Sequence, residues 1–350
     1  RKTLKCPNGI VLGTPGSGKS FFAKREMANA FFATNDHILI LDPENEYTAL
    51  TEQLHGQTIY LAPDSHSYLN PMDLDLSTDV GESPMLMQAD FLLSQCELMM
   101  ASYGNPLMPI EKSLIDRCIS LVYRDYLKNP RPENMPILGD LYQCLREQHN
   151  SRADDLATAM EIYVTGSLSY LNHRTNVDLN NRMVCYNISK LGQGLKKLVM
   201  SNVQKHIWQR TAVNRYAGIT TRIFLDEFHL LLKEPQTAAY TAEIYKRFRK
   251  WNGIPTSLTQ NVKDLLDSSE IENILENSDF VLMLNQGASD RNILAQRLGI
   301  SPQELSHVTN SSEGEGLLFF GDKIIPFEDK FPRDTQLYRV MTTKPSDLAA

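Results

Sequence analysis

The chain has 350 residues, 42% hydrophobic and 22% charged, which provides for a large buried core in one big domain or two and excludes an intrinsically disordered chain. No run approaches the eighteen or so consecutive apolar residues of a membrane span, and residues 1–15 lack the apolar segment of a signal peptide, so the sequence reads as soluble. A net charge of −7 argues against a wholly basic protein that coats nucleic acid and leaves room for a basic pore or patch.

Five cysteines (Cys6, Cys96, Cys118, Cys144, Cys185) are scattered with no C-x-x-C pair, which argues against a disulfide framework or a zinc site and fits a reduced cytoplasmic compartment. The eight histidines show no H-x-x-x-H spacing and read as surface or packing residues. The sequence opens on Arg1-Lys2-Thr3 without an initiator Met and enters an apolar run almost at once, which suggests a piece of a longer polypeptide with a further domain upstream.

The first strand, Gly9-Ile10-Val11-Leu12, runs directly into Gly13-Thr14-Pro15-Gly16-Ser17-Gly18-Lys19-Ser20, followed by Phe21 and a helical pattern over residues 18–34. This is the G-x-x-x-x-G-K-[S/T] pattern of a P-loop in its strand–loop–helix setting. Glycines at 13, 16 and 18 let successive amides turn inward around phosphate, and the helix N-terminus favours an anion. Lys19 adds a mobile positive charge for the β- and γ-phosphates, and the Ser20 hydroxyl suits Mg²⁺. Residues 13–21 are therefore the expected nucleotide-binding stretch, with ATP and Mg²⁺ as the expected ligands.

Residues 37–42 read as a fully buried strand that ends in Asp42-Pro43-Glu44-Asn45-Glu46-Tyr47, three carboxylates plus a tyrosine at the edge where ligands of parallel sheets collect. A solvated acidic turn competes here with a role for Glu44 or Glu46 in orienting water or Mg²⁺. A strand over residues 58–61 and a turn at Asn70-Pro71-Met72-Asp73 follow. Helical periodicity then runs through residues 85–103, 110–127, 137–147 and 153–163, with breaks at Pro106–Pro109 and Pro130–Pro132. The chain accordingly divides into a first part of an ATPase core at 1–78, an all-α insertion at 79–174 and the second part of the core at 175–350.

Strand character returns at residues 183–188, and residues 195–216 form a long helix. Thr221-Arg222-Ile223-Phe224-Leu225-Asp226-Glu227 is an apolar strand ending in adjacent acids, a Walker B pattern: Asp226 serves a Mg²⁺-bound water and Glu227 polarises the attacking water. A helix over residues 238–252 carries Lys246, Arg247, Arg249 and Lys250, which is either a solvated face, a DNA-facing patch or the source of an arginine finger, with Arg249 first choice and Arg247 second. A strand over residues 255–259 leads to Gln260-Asn261, where a neutral amide can contact the γ-phosphate or the lytic water. A strand at 280–284, a helix at 290–298, a hairpin around Gly321-Asp322 and an edge strand over residues 335–341 complete the expectation.

In this order, the Walker A loop, the Asp-Pro-Glu-Asn-Glu-Tyr turn, the helical insertion, the Asp-Glu-Phe-His Walker B and Thr-Gln-Asn resemble one family over almost the whole chain. It is similar to the C-terminal ATPase domain of the VirB-type energising ATPases of type IV secretion and conjugation, the TraC/TraE-like group, in the FtsK/HerA branch of RecA-like motors. The stretch between Lys19 and Asp226 is far longer than an uninterrupted RecA-like core needs, in keeping with an insertion. The resemblance implies an α/β RecA-like P-loop NTPase with a central, mostly parallel sheet flanked by helices. It implies an ATPase that forms a homo-oligomer, a hexameric ring in the full-length protein, peripheral to the inner face of the cell membrane, working with secretion-channel components and a coupling protein, and with DNA as a candidate partner. By the same resemblance Lys19 and Ser20 bind phosphate and Mg²⁺, Asp226 and Glu227 serve metal and water, Gln260 senses the γ-phosphate, and an arginine acts in trans; Arg247, Arg291 and Arg297 stand beside Arg249 for that role. A DNA translocase or coupling-protein ATPase of the same superfamily and a slowly hydrolysing assembly scaffold are the competing expectations.

Overall fold

Several of the apolar runs are continuous rather than alternating, and a strand with no polar face has to be covered on both sides. The computed structural model describes residues 1–76, 83–101, 107–232, 235–260, 262, 274–275, 277–309, 311–344 and 347, and it builds these runs into one sheet. Among the described residues the strands are β1 (Gly9–Leu12), β2 (His37–Asp42), β3 (Gln57–Tyr60), β4 (Met183–Asn187), β5 (Thr221–Leu225), β6 (Gly253–Thr259), β7 (Phe280–Met283), β8 (Glu315–Phe320) and β9 (Lys323–Glu328). Their order in the sheet is β3-β4-β2-β5-β6-β1-β7-β8-β9. From β4 to β7 neighbouring strands are parallel, and the β8–β9 hairpin attaches antiparallel to β7. This is the α/β architecture with a mostly parallel sheet that the sequence leads one to expect.

The chain forms two compact units. The first comprises residues 1–58, 180–187 and 213–350. Its core joins Val11, Ile38, Ile40, Phe224, Leu258 and Leu282 of the sheet to Ala23, Met27, Ala28 and Ala30 of helix α1 (Lys19–Ala33). At the edge opposite the P-loop, Arg222 donates to Asp36 at 2.9 Å and to Glu26 at 3.1 Å. Burial would raise the Asp36 carboxyl, yet Lys2 and Arg222 hold it below the usual carboxylate range.

The second unit comprises residues 59–179 and 188–212. Its helices are α3 (Pro84–Ala101), α4 (Pro109–Val122), α5 (Arg124–Lys128), α6 (Leu138–Arg146) and α7 (Ser151–Val164), joined by the first part of α8 (Gln193–Tyr216). The unit starts earlier than the expected residue 79 and takes in α8 residues assigned above to the core. The reason lies in the turn at Asn70–Asp73. Gln88 and Lys205 both donate to the Pro71 carbonyl at 2.9 Å, Lys205 also donates to the Asp73 carbonyl at 2.6 Å, and Asn202 donates to Leu69 O at 2.9 Å. Tyr123 and Tyr126 hydroxyls donate to the carbonyls of Met72 and Leu74. An unpaired buried carbonyl costs on the order of 1–3 kcal/mol, so these side chains tie residues 69–74 to the helices around them. Lys205 is wholly enclosed, and burial pushes its ammonium down to about 7 despite the nearby Asp73.

Two expected helices end early: residues 110–127 break at Tyr123 into α4 and α5, and α9 (Pro235–Phe248) gives way to a short 3-10 turn at Arg249–Trp251. Residues 79, 106 and 261 of the expected insertion boundary, helix break and Gln-Asn pair lie outside the described residues. One expectation is corrected. Residues 335–341 form no edge strand but a helix, numbered here α12 (Gln336–Met341) after α10 (Ala288–Leu298) and α11 (Pro302–Leu305). Thr335 Oγ1 accepts the Tyr338 amide at 3.2 Å as an N-cap, and Leu337, Val340 and Met341 fall at helical spacing on the face that meets the core. Among the described residues no helix is long and apolar enough to cross a membrane.

Candidate active site

Sheet register decides which loops meet. Leu12 at the end of β1 lies level with Thr259 of β6 and Met283 of β7, and Leu225 of β5 lies level with Leu41 of β2. The segments that follow, Gly13–Ser20, Pro43–Tyr47, Asp226–Glu227 and Gln260, therefore leave the sheet at the same edge, the usual ligand edge of a parallel sheet.

The P-loop follows from its glycines. Gly16 has φ 75° and Gly18 has φ 101°, backbone angles that L side chains rarely adopt. Thr14 donates its amide and hydroxyl to Asn285 O at 2.9 and 3.2 Å, and the Gly314 amide donates to Ser17 O at 3.2 Å, so the loop is held from β7 and from the approach to β8. Helix α1 starts at Lys19 with no acidic residue in its first turn, which leaves its electropositive end unopposed. Lys19 is folded back: its Nζ donates to Gly13 O at 2.8 Å and Thr14 O at 3.1 Å. Burial pulls the ammonium below its ordinary value, against Glu227, Asp226 and Glu46, which draw it up. Ser20 stands in the first turn beside Lys19. The ring of Phe21 packs against Phe331 and Tyr338 at 5.8 and 5.4 Å between centroids, so its backbone is what it can offer a phosphate.

Asp226 is 4% exposed. It accepts the Tyr47 hydroxyl at 3.1 Å and the Glu227 amide at 2.9 Å. Burial, then the neighbouring Glu46, push its carboxyl up to about 7, with Glu227 adding to the rise and those two donors opposing it. Glu227 turns the chain out of β5 in the left-handed region, φ 45° and ψ 45°, a conformation that costs a non-glycine residue roughly 1–2 kcal/mol. Gln260 Nε2 donates to its Oε1 at 2.9 Å, and His229 Nδ1 lies 3.1 Å from its Oε2. Burial favours protonation of Glu227, but His229, Lys19 and Gln260 outweigh it and hold the carboxyl below its usual range.

The acidic turn sorts into separate roles. Asp42 is fully buried and accepts the amides of Glu46 at 2.9 Å and Tyr47 at 3.0 Å, fastening the turn ahead of α2 (Thr48–Gln53). Burial raises its carboxyl despite these donors. Asn45 supplies the left-handed residue at φ 59°. Glu44 is exposed, whereas Glu46 is half-buried, with Oε2 enclosed and lacking a hydrogen bond. Of the two glutamates it is Glu46 that faces the Lys19–Asp226 cluster electrostatically. Sequence reasoning passed over Tyr47, His229 and Lys24. Lys24 looks like an ordinary polar helix position but is buried, donating to Met341 O at 3.0 Å with its ammonium 5.6 Å from the Tyr47 ring centre. The tyrosine that ends the Asp42–Tyr47 turn was the available signal.

The structure thus brings Lys19, Ser20, Asp226, Glu227 and Gln260 to one edge, and of the four candidate arginines it sets only Arg291 close to the start of a segment leaving that edge. Arg249 is exposed in the turn before β6, at the opposite edge; β6 is seven residues long, so about 20 Å of strand separates it from the P-loop of its own chain. Arg247 pairs with Glu243 at 2.7 Å on α9. Arg291 lies in the first turn of α10, just past β7 on the P-loop edge, and Arg297 is exposed near its end. Among the described residues no cluster of three or more His, Cys, Asp or Glu forms a metal cage. The donors present, a helix-first-turn hydroxyl and one carboxylate, fit Mg²⁺, which takes few protein ligands and fills its octahedron with phosphate and water.

The TraG P-loop domain model matches residues 1–314. The fold matches VirB4 of Thermoanaerobacter pseudethanolicus with a TM-score of 0.84 at 24% identity, over 95% of this chain and 91% of that one. It also matches the plasmid coupling protein TrwB, in complex with the ATP analogue ADPNP, with a TM-score of 0.62 at 13% identity over 95% and 88% of the two chains. TrwB in complex with ADP and Mg²⁺ gives 0.57 at 12% identity over the same shares. Among curated protein sequences no significant match is found.

The Asp226 environment has a thermodynamic consequence. Its folded-state pKa is raised, so the folded chain binds the proton more tightly than the unfolded chain, and stability falls as pH rises from about 4 to about 7. Above that window the buried charge exerts its full cost. Asp226→Asn is expected to stabilise the nucleotide-free chain by roughly 2–4 kcal/mol at about pH 8 and to lose most of that advantage near pH 4, read by urea unfolding. An Asn variant less stable than the parent at the higher pH contradicts this description of the carboxylate.

Proposed function

The chain belongs to the TraG P-loop domain family, and we propose that it is a motor of type IV secretion and conjugative transfer, coupling ATP hydrolysis to assembly of the channel or pilus and to passage of substrate. One observation supports this most strongly: a P-loop lysine, two Walker B acids and a glutamine meet at the edge of one parallel sheet, with Gln260 already bonded to Glu227. A site built to hold a triphosphate passively has no need of that last pair.

ATP and Mg²⁺ are the ligands of this reading; among the fold's relatives, TrwB is seen with ADPNP and with ADP and Mg²⁺. The inward-turned amides of Gly13–Ser20 receive the phosphates. Lys19 exchanges the carbonyls of Gly13 and Thr14 for phosphate oxygens, which costs no long-range movement. Ser20 and Asp226 would hold Mg²⁺, which would supply charge neutralisation on the phosphate oxygens. Glu227 orients the attacking water and takes up its proton, and the Gln260 amide turns from Glu227 to the γ-phosphate. The charge of Glu46 raises the Asp226 carboxyl, and a cation bound there would relieve that repulsion. Protein positioning and charge stabilisation account for nearly all of what phosphoryl transfer requires.

The motor works as a homo-oligomeric ring with channel components and a coupling protein, at the inner face of the cell membrane, with DNA as a candidate partner. Arg249 is the finger in this reading, given to the site of a neighbouring subunit, since its own P-loop is out of reach.

Glu227→Gln is expected to retain ATP binding and to lower steady-state turnover by several orders of magnitude, about what removal of water activation costs. A variant that hydrolyses ATP normally would move the role to Glu46. For the ring, Arg249→Ala and Lys19→Ala subunits, each inactive alone, are expected to recover ATPase activity when mixed, because each supplies what the other lacks. Mixed assemblies that stay inactive would overturn the trans assignment.

A further inference from the structure

Glu227 has two carboxylate oxygens, and the proposed chemistry uses one. Oε1 accepts from Gln260 at 2.9 Å. Oε2 faces His229 Nδ1 at 3.1 Å, and both of these atoms are buried without an aligned hydrogen bond to any group. The two side chains are 15% and 13% exposed, so solvent offers little substitute. A buried carboxylate oxygen and a buried ring nitrogen facing each other at hydrogen-bond distance are two unsatisfied groups that a small turn of the imidazole pairs. Catalytic hydrogen bonds are often misaligned before substrate binds and tighten in the complex.

Local backbone geometry places the pair. Glu227 sits in the left-handed region, and the chain enters a 3-10 turn at Phe228–Leu231, a tight bend that sets the His229 ring beside the Glu227 carboxylate. Phe228 between them is fully buried and packs against Tyr245, 5.8 Å between ring centres, which anchors the bend. On the other side, the Glu227 amide is bonded to Asp226. The carboxylate is thus held at its backbone, at Oε1 and beside Oε2.

We propose that His229 is a positioning residue for the hydrolysis: its Nδ1–H donates to Glu227 Oε2 and fixes the carboxylate plane, so that Oε1 alone exchanges the Gln260 amide for the attacking water. This rests on the proposed role of Glu227. With Gln260 on Oε1 and the imidazole beside Oε2, the base is withheld from water. When Gln260 turns to the γ-phosphate, the freed oxygen is the one on the side of β6, the neighbour of the P-loop strand, and His229 keeps the other from rotating in to replace it. No bond other than hydrogen bonds changes at His229, and the proton taken from water stays on Glu227.

The test compares two substitutions of nearly equal size in the full chain. Asn places an amide N–H close to where Nδ1 stands, and Leu fills the same volume without a donor. His229→Leu is expected to lower kcat for ATP about a hundredfold, the scale of a misplaced catalytic group, with affinity for MgATP unchanged. His229→Asn is expected to restore most of the lost turnover. Added to Glu227→Gln, the Leu substitution is expected to cause no further loss, because it acts through the group already removed. Retained MgATP affinity shows that each variant is folded. A Leu variant as fast as the parent, or Leu and Asn variants equally slow, overturns the inference while a dead Glu227→Gln leaves the ATPase reading intact. Normal turnover in Glu227→Gln would instead remove the reading on which the inference rests.

Discussion

Asp42, Glu46, Asp226 and Glu227 are gathered at one end of a parallel sheet, and Lys19 and Lys24 stand against them. Burial raises the carboxyls of Asp42 and Asp226 and lowers the ammonium groups of Lys19 and Lys24, so burial works against the charge on all four. The surrounding structure is arranged to keep such a cluster folded. Asp42 is spent on the amides of its own turn, Tyr47 places a hydroxyl on Asp226, Lys24 lies near the Tyr47 ring, and Lys19 rests on two carbonyls of the P-loop. Charge of this kind is expensive to bury, and function is the usual reason a fold retains it. In the proposed function a magnesium nucleotide would complete the arrangement, the cation meeting the carboxylates and the phosphates taking the lysine and the loop amides.

That constraint also explains the order of the strands. β6 lies between the P-loop strand β1 and the Walker B strand β5. Gln260, at the end of this intervening strand, is therefore placed between the P-loop strand and the strand that carries Glu227. In the proposed reaction the bond from Gln260 to Glu227 would be the short link by which occupancy of the γ-phosphate position reaches the base, and His229 lies beside the other oxygen of the same carboxylate.

The sheet strands were legible in the sequence because a parallel sheet demands uninterrupted apolar runs, and the P-loop and Walker B acids were legible because phosphate binding permits few alternatives at those positions. The last helix was misread as a strand because Thr335 was not taken as an N-cap, and the helical spacing of Leu337, Val340 and Met341 is too short a signal against the hairpin before it. The reach of the helical unit back to residue 59 was hidden because it is decided by side chains bonded to the carbonyls of residues 69–74, and such bonds leave no periodicity. Lys24, Tyr47 and His229 escaped for a similar reason. A buried lysine, a tyrosine under an aspartate and a histidine beside a glutamate are defined by what the fold sets next to them, and in the sequence each reads as a common residue type at an ordinary position. Whether an arginine serves the site was equally illegible, since a residue acting across a subunit boundary would carry no spacing relation to the P-loop of its own chain.

The central claim is that the nucleotide-free site is held closed by its own groups and that the triphosphate exchanges them. The most direct measurement is a structure of the chain carrying Mg²⁺ and a non-hydrolysable ATP analogue. The account predicts Lys19 Nζ on phosphate oxygens instead of the Gly13 and Thr14 carbonyls, Gln260 turned from Glu227 to the γ-phosphate, and the Asp226 carboxylate facing the ion. A bound analogue with Lys19 still on those carbonyls and Gln260 still on Glu227 would contradict it.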